Sequence, residues 1–180
     1  MTRTLFFILV FTVLTANLVM AKDNPPIMLE GNLGLGGCQG DCSGVDPFLG
    51  FGIGGFVEFH KNLSAGLTGR YQKYSIDNGS MYSLMFGLEG RYSFPINHQL
   101  NIYGAAGLGY DMLKTSVDTP YGSASGDDSA IFIQFGPGMT YNIDKNISIG
   151  GTFRYQINLW DKSSGTFNDW LLAVSLDYRL

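Results

Sequence analysis

The sequence predicts an all-β protein: an eight-stranded antiparallel up-and-down barrel that crosses a membrane. Three observations carry that expectation. Apolar side chains recur at every second position in eight consecutive segments, the signature of strands with two unlike faces. The connections between those segments alternate between short and mostly longer. The composition suits no ordinary soluble surface, with 14% charged residues and 25 glycines in 180, against roughly 25% charged and about 7% glycine in globular chains.

The length of 180 residues and the 45% apolar content indicate one domain with enough apolar surface to bury. Residues 1–21 read as an export signal. Arg3 supplies a basic start, Leu5 to Leu14 an apolar run, and Val19, Met20 and Ala21 a small-residue cleavage site. That run falls short of the ~20 residues of a spanning helix, and Asn17 interrupts it. The barrel domain is then 22–180. Without Arg3, 10 of the 11 basic residues remain against 15 acidic ones, a net of −5. No clustered basic face is left for a nucleic-acid partner.

The segments follow in order. In 27–37, Ile27, Leu29, Leu33 and Leu35 alternate with Glu30, Asn32, Gly34 and Gly36. In 48–60, Leu49, Phe51, Ile53, Val57 and Phe59 oppose glycines and Glu58, and in 63–74, Leu63, Ala65, Leu67 and Tyr71 oppose Ser64, Gly66, Thr68, Arg70 and Gln72. The segment 80–94, SMYSLMFGLEGRYSF, sets Tyr82, Leu84, Phe86, Leu88, Tyr92 and Phe94 against Ser83, Met85, Glu89 and Arg91. In 100–114, Ile102, Ala106, Leu108, Tyr110 and Met112 face away from Asn101, Tyr103, Gly107, Gly109 and Asp111. The last three, 130–142, 147–160 and 170–180, repeat the pattern with Gln134, then Thr152, Arg154 and Gln156, then Ser175, Asp177 and Arg179 on the polar side.

Tight turns are expected at 61–62, 95–99 and 144–146, and longer Gly-, Ser- and Asp-rich loops at 38–47, 75–80, 115–129 and 161–169. Short turns at one end and longer loops at the other are how membrane barrels are built, turns periplasmic and loops extracellular. One position breaks the pattern. Pro137 falls within a strand on the apolar side and removes a ladder donor, so a bulge or kink is expected there.

The charges decide which face looks inward. Beyond the export signal, Arg70, Arg91, Arg154, Arg179, Glu30, Glu58 and Glu89 all lie within strands on the polar face, with Asp111 and Asp177. The six lysines lie in turns, loops, the N-terminal tail or strand ends. Arginine's planar fork suits enclosed carboxylates better than an ammonium does. The polar face is therefore expected to be a lumen closed by an ion-pair network of Glu30, Glu58, Arg70, Glu89, Arg91, Asp111, Arg154, Asp177 and Arg179. Interior glycines make room for these long side chains in a narrow eight-stranded lumen.

The final segment, WLLAVSLDYRL, resembles the last strand of the small eight-stranded outer-membrane barrels of the OmpA transmembrane-domain and OmpX type. The resemblance extends over 27–180. It implies a chain in the cell outer membrane, with Leu176, Tyr178 and Leu180 as the C-terminal signal read by the barrel assembly machinery. The family usually ends in Phe, where this chain has Leu180. It also implies outer-membrane lipid and lipopolysaccharide as surroundings, a monomer, and no cofactor.

Other chemistry finds little support. Cys38 and Cys42, in CQGDC, suit a small disulfide-closed loop in an oxidising compartment, and no further ligand accompanies them for a metal. Some barrels of this size modify lipid A, which requires a nucleophile beside a base. His60 and His98 both fall at turns, without a neighbouring serine in the expected arrangement. Asp118, Asp127 and Asp128 lack the ligand density of a calcium loop. The expected role is structural or surface-interacting; the alternative is a small porin-like channel or a hydrophobic-molecule carrier of the OmpW type.

Overall fold

The computed structural model describes residues 25–40, 46–76, 79–119, 122–159 and 167–180. The expected export signal, 1–21, lies outside them. Eight strands follow one another: β1 (Ile27–Gly40), β2 (Phe48–His60), β3 (Leu63–Ile76), β4 (Gly79–Pro95), β5 (Leu100–Thr119), β6 (Gly122–Asn142), β7 (Ile147–Leu159) and β8 (Phe167–Arg179). Each pairs antiparallel with its sequence neighbours, and β1 pairs with β8 from Met28 opposite Arg179 to Gly40 opposite Phe167, closing the expected barrel. Closure gives the wall's backbone groups partners within the sheet, which hydrocarbon surroundings require.

The wall is inverted relative to a soluble protein. Leu35 is 63% and Val174 67% exposed, while Glu89 is 3% exposed. Outward rows of Leu, Ile, Phe and Tyr surround the whole cylinder, far beyond the patches a soluble monomer leaves uncovered.

The lumen is less uniformly polar than its pattern implies. Towards the loop end, Phe48, Tyr74, Met81, Leu171 and Ala173 form a buried apolar cluster against Ile76 and Leu113. The glycines make room mainly for rings rather than for charged chains. A Cβ at Gly36 would meet Phe48 at 2.3 Å, one at Gly54 Phe56 at 2.7 Å, one at Gly109 Phe132 at 2.5 Å, and one at Gly138 Tyr103 at 2.2 Å. In a cylinder this narrow a ring lies along the inner wall where the position beside it has no side chain.

At the turn end the chain reverses tightly. The β2–β3 register slips between Glu58 and His60, and Asn62 takes φ 69°, a left-handed conformation that asparagine tolerates. The other two turns share one construction. The Asn97 side-chain oxygen accepts the backbone N–H of Gln99 and Leu100, and Asp144 accepts those of Asn146 and Ile147. At the loop end the expected loop 115–129 is instead a continuation of β5 and β6, paired as far as Thr119 opposite Gly122. The alternation of Thr115, Val117 and Thr119 with polar residues supports strand. Likewise, within the expected loop 75–80, Ser75 pairs with Ser80 and Ile76 with Gly79.

Pro137 produces no bulge. Phe135 pairs with Tyr155 and Gly138 with Thr152 in one register, so no residue is inserted, and only the 136–137 rungs towards β7 are missing. The gap stays closed because β6 and β7 approach tightly: a Cβ on Gly136 would lie 2.0 Å from the Phe153 carbonyl oxygen.

Candidate functional site: the closed lumen

The centre of the barrel is an ion cluster drawn from three strands. Arg91 on β4 donates through Nη1 to Glu30 of β1 at 2.6 Å and through Nε to Glu89 of its own strand at 2.7 Å. Glu89 and Arg91 are two residues apart, so the pleat places both on the inner face. Arg154 on β7 grips Glu89 with a fork, Nη2 to Oε1 at 2.8 Å and Nε to Oε2 at 2.9 Å. The four side chains are at most 6% exposed. Two guanidiniums and two carboxylates sum to zero charge, and forked charge-assisted bonds are the form in which buried ions are tolerated.

Neighbours use up what remains. Arg154 Nη1 donates to the Thr152 hydroxyl, to the Phe153 carbonyl at 3.1 Å and to the Pro137 carbonyl at 3.4 Å. Asn32 donates to Glu30 at 2.9 Å and Gln134 to Glu89 at 2.9 Å. The Arg91 guanidinium lies 3.7 Å from the Phe56 ring centre and 4.9 Å from that of Tyr103, within cation–π range. The free space among these groups is about 10 Å³, enough for one water.

Below the cluster, towards the turn end, a polar vestibule of about 250 Å³ is lined by Glu58, Ser64, Asn101, Thr140 and Arg179, with Arg91 and Tyr103 also on its wall. Above it the apolar cluster takes over. There Asp111 accepts the Ser83 hydroxyl, and Asp169, 1% exposed, accepts Asn158 Nδ2 at 3.3 Å.

The ion pairs among the described residues thus join four of the nine expected lumen residues: Glu30, Glu89, Arg91 and Arg154. Arg70 stands one bond removed, donating to Gln134 Oε1 at 3.2 Å. Asp111 lies on β5 within the loop-side half, and Asp177 on β8 is buried opposite Glu30 but outside the pairs. Glu58 and Arg179 line the vestibule rather than the network. Register explains the division, because inward residues share a level only when their strands' stagger brings them to one height.

Three contributors lie outside the nine expected residues. Gln134 bridges Arg70 and Glu89, Phe56 carries the Arg91 guanidinium, and Asp169 is buried at the start of β8. Asp169 is in phase with Ala173 and Asp177, so extending the alternation two residues before Leu171 would have found it.

Elsewhere, Cys38 is disulfide-bonded; the chain's other cysteine, Cys42, lies outside the described residues. Leu176, Tyr178 and Leu180 all point outward from the wall, 59%, 46% and 65% exposed. His60 and His98 are exposed at the turn end, and His60 Nδ1 sits 3.2 Å from the Lys61 carbonyl. Asp127 and Asp128 are exposed, and no group of three or more potential metal ligands gathers among the described residues.

Residues 6–179 match the family described as outer membrane protein beta-barrel domain. No curated protein matches the chain in sequence. Among solved structures, neisserial surface protein A aligns at 13% identity and TM-score 0.69, over 87% of this chain and 100% of that one. The N-terminal barrel of Pseudomonas aeruginosa OprF aligns at 14% and 0.55, over 88% and 100%. Ail, the attachment invasion locus protein of Yersinia pestis, aligns at 15% and 0.53, over 87% and 100%. At these identities the likeness is one of fold.

Proposed function

We propose, for a chain that belongs to the outer membrane protein beta-barrel domain family and resides in the outer membrane, a structural and surface-interaction role without transport or catalysis. The observation that carries this reading is the double closure of the lumen. At mid-height the Glu30, Glu89, Arg91 and Arg154 cluster leaves about 10 Å³, and above it Phe48, Tyr74 and Leu171 pack together as a buried apolar cluster. Eight strands leave space for side chains and little else.

Work is then left to the two ends and the wall. The β5–β6 hairpin is paired out to Thr119 and Gly122, and in this reading it would meet a partner outside the cell. Ail has been solved with a heparin analogue, a polyanion. The Asp127 and Asp128 of this hairpin favour a basic or neutral contact instead. Leu176, Tyr178 and Leu180 would serve the assembly machinery, and the barrel would act as a monomer in lipid.

A second reading, a small channel or carrier, draws on the 250 Å³ vestibule, which forms half of a path. Single-channel recording on the refolded protein in planar bilayers separates the two. The closed lumen is expected to give no conductance steps; steps that disappear on substituting lumen residues would overturn the proposal.

A further inference from the structure

Outside the lumen, the outward face of the wall carries almost no charge, and its exceptions fall in one row. Lys73 on β3 lies opposite Tyr82 on β4, and Tyr82 lies opposite Lys114 on β5. All three side chains are exposed. With strands ~4.8 Å apart, the two lysine stems stand about 10 Å from each other with the tyrosine between them. Neither ammonium is paired with a carboxylate among the described residues.

The height of the row gives it meaning. Two residues nearer the turn end, the same strands present Tyr71, Leu84 and Met112, and from there the outward face is apolar. The row is therefore the rim of the apolar band at the loop end, the end that faces outside in barrels of this construction. A lysine at such a rim extends its stem along apolar surface and lifts its charge to headgroup level. Asp127, on β6 opposite Lys114, is the carboxylate in register with the row; it borders the positive field and leaves the β3–β5 side open. Lys61 and Lys145, in turns at the opposite end, form no such row.

We propose that Lys73, Tyr82 and Lys114 form a binding site on the outer wall for a phosphate group of an outer-leaflet glycolipid. Two ammoniums flank the phosphate, the phenol donates a third hydrogen bond, and the acyl chains lie on the apolar rows beneath. The proposal rests on the reading of the loop end as the outer end. It is independent of whether the lumen conducts, so failure here would leave the conductance test untouched.

The test is native mass spectrometry of the full refolded chain in detergent, titrated with bisphosphorylated lipid A and with lipid A stripped of phosphate. The expected result is preferential retention of the phosphorylated form. Lys73→Gln with Lys114→Gln should weaken retention about thirtyfold, the equivalent of roughly 1 kcal/mol per lysine. Asp127→Asn should strengthen it, a gain that loss of folding cannot imitate. Lys61→Gln with Lys145→Gln removes equal charge at the other end and should change nothing. Equal retention of both lipids, no change in the Lys73 and Lys114 double variant, or an equal loss in the turn-end variant would each overturn the site.

Discussion

Two stretches of this barrel, KNLSAGLTGRYQ at 61–72 and KNISIGGTFRYQ at 145–156, agree at eight of twelve positions. Each leaves a turn, enters a strand and points a threonine and an arginine inward, yet the arginines end differently. Arg154 forks onto Glu89 at 2.8 and 2.9 Å. Arg70 makes a single bond of 3.2 Å to the Gln134 amide oxygen. The β3–β4 register puts Glu89 opposite Gly66, so Arg70 lies four residues, about 13 Å, further along the strand. Arg154 approaches from across the lumen at the right height. Near-identical local sequence acquires a different electrostatic partner because the stagger of the closed sheet, a property of all eight strands together, sets which inward residues share a level.

The comparison can be broken at its centre. Glu89→Leu leaves the buried Arg154 without a carboxylate and Arg91 with Glu30 alone, and should cost about 3–5 kcal/mol, the range for removing one partner of a buried ion pair. The measurement is the urea midpoint of the refolded barrel in lipid vesicles, and an unchanged midpoint would refute the network. A narrower test sets the two arginines side by side. Arg154→Met leaves Glu89 to Arg91 and should cost about 2–3 kcal/mol, whereas Arg70→Met loses one hydrogen bond and should cost about 1 kcal/mol. Equal losses would mean that the register argument is wrong.

The smallest expected effect concerns the matched turns, where Asn97 and Asp144 do the same work with and without charge. The N–H groups of Asn146 and Ile147 hold the exposed Asp144 carboxyl below the usual carboxylate range. A lowered folded value means that this contribution is complete above about pH 4, the unfolded carboxylate value, and is lost as pH falls through the lowered one. Asp144→Asn should keep the turn and flatten the dependence of the midpoint between pH 5 and pH 3. A variant as pH-sensitive as the parent would assign that slope to other groups.

Much of this architecture was legible in advance, for a physical reason. Strand alternation has a period of two, so each Leu, Ile or Phe on an odd or even position declares a face without knowledge of its neighbours. The eight strands, their count and the inward arginines follow from that rule. Turn chemistry is equally local, as Asn62, Asn97 and Asp144 show. Where polar composition suggested a loop at 115–129, the strands ran on, because hairpin pairing tolerates serine and glycine once the neighbouring rungs are formed.

What the sequence by itself determined is the inside and outside of the wall, together with the near balance of the charges expected to face inward, four arginines against five carboxylates. What only the tertiary structure decided is who meets whom. Four of nine lumen ions form the cluster, rings occupy the space left by glycines, and Pro137 leaves a gap without shifting register. Facing is encoded residue by residue, whereas height within the bore depends on strand stagger, and stagger exists only once the cylinder has closed.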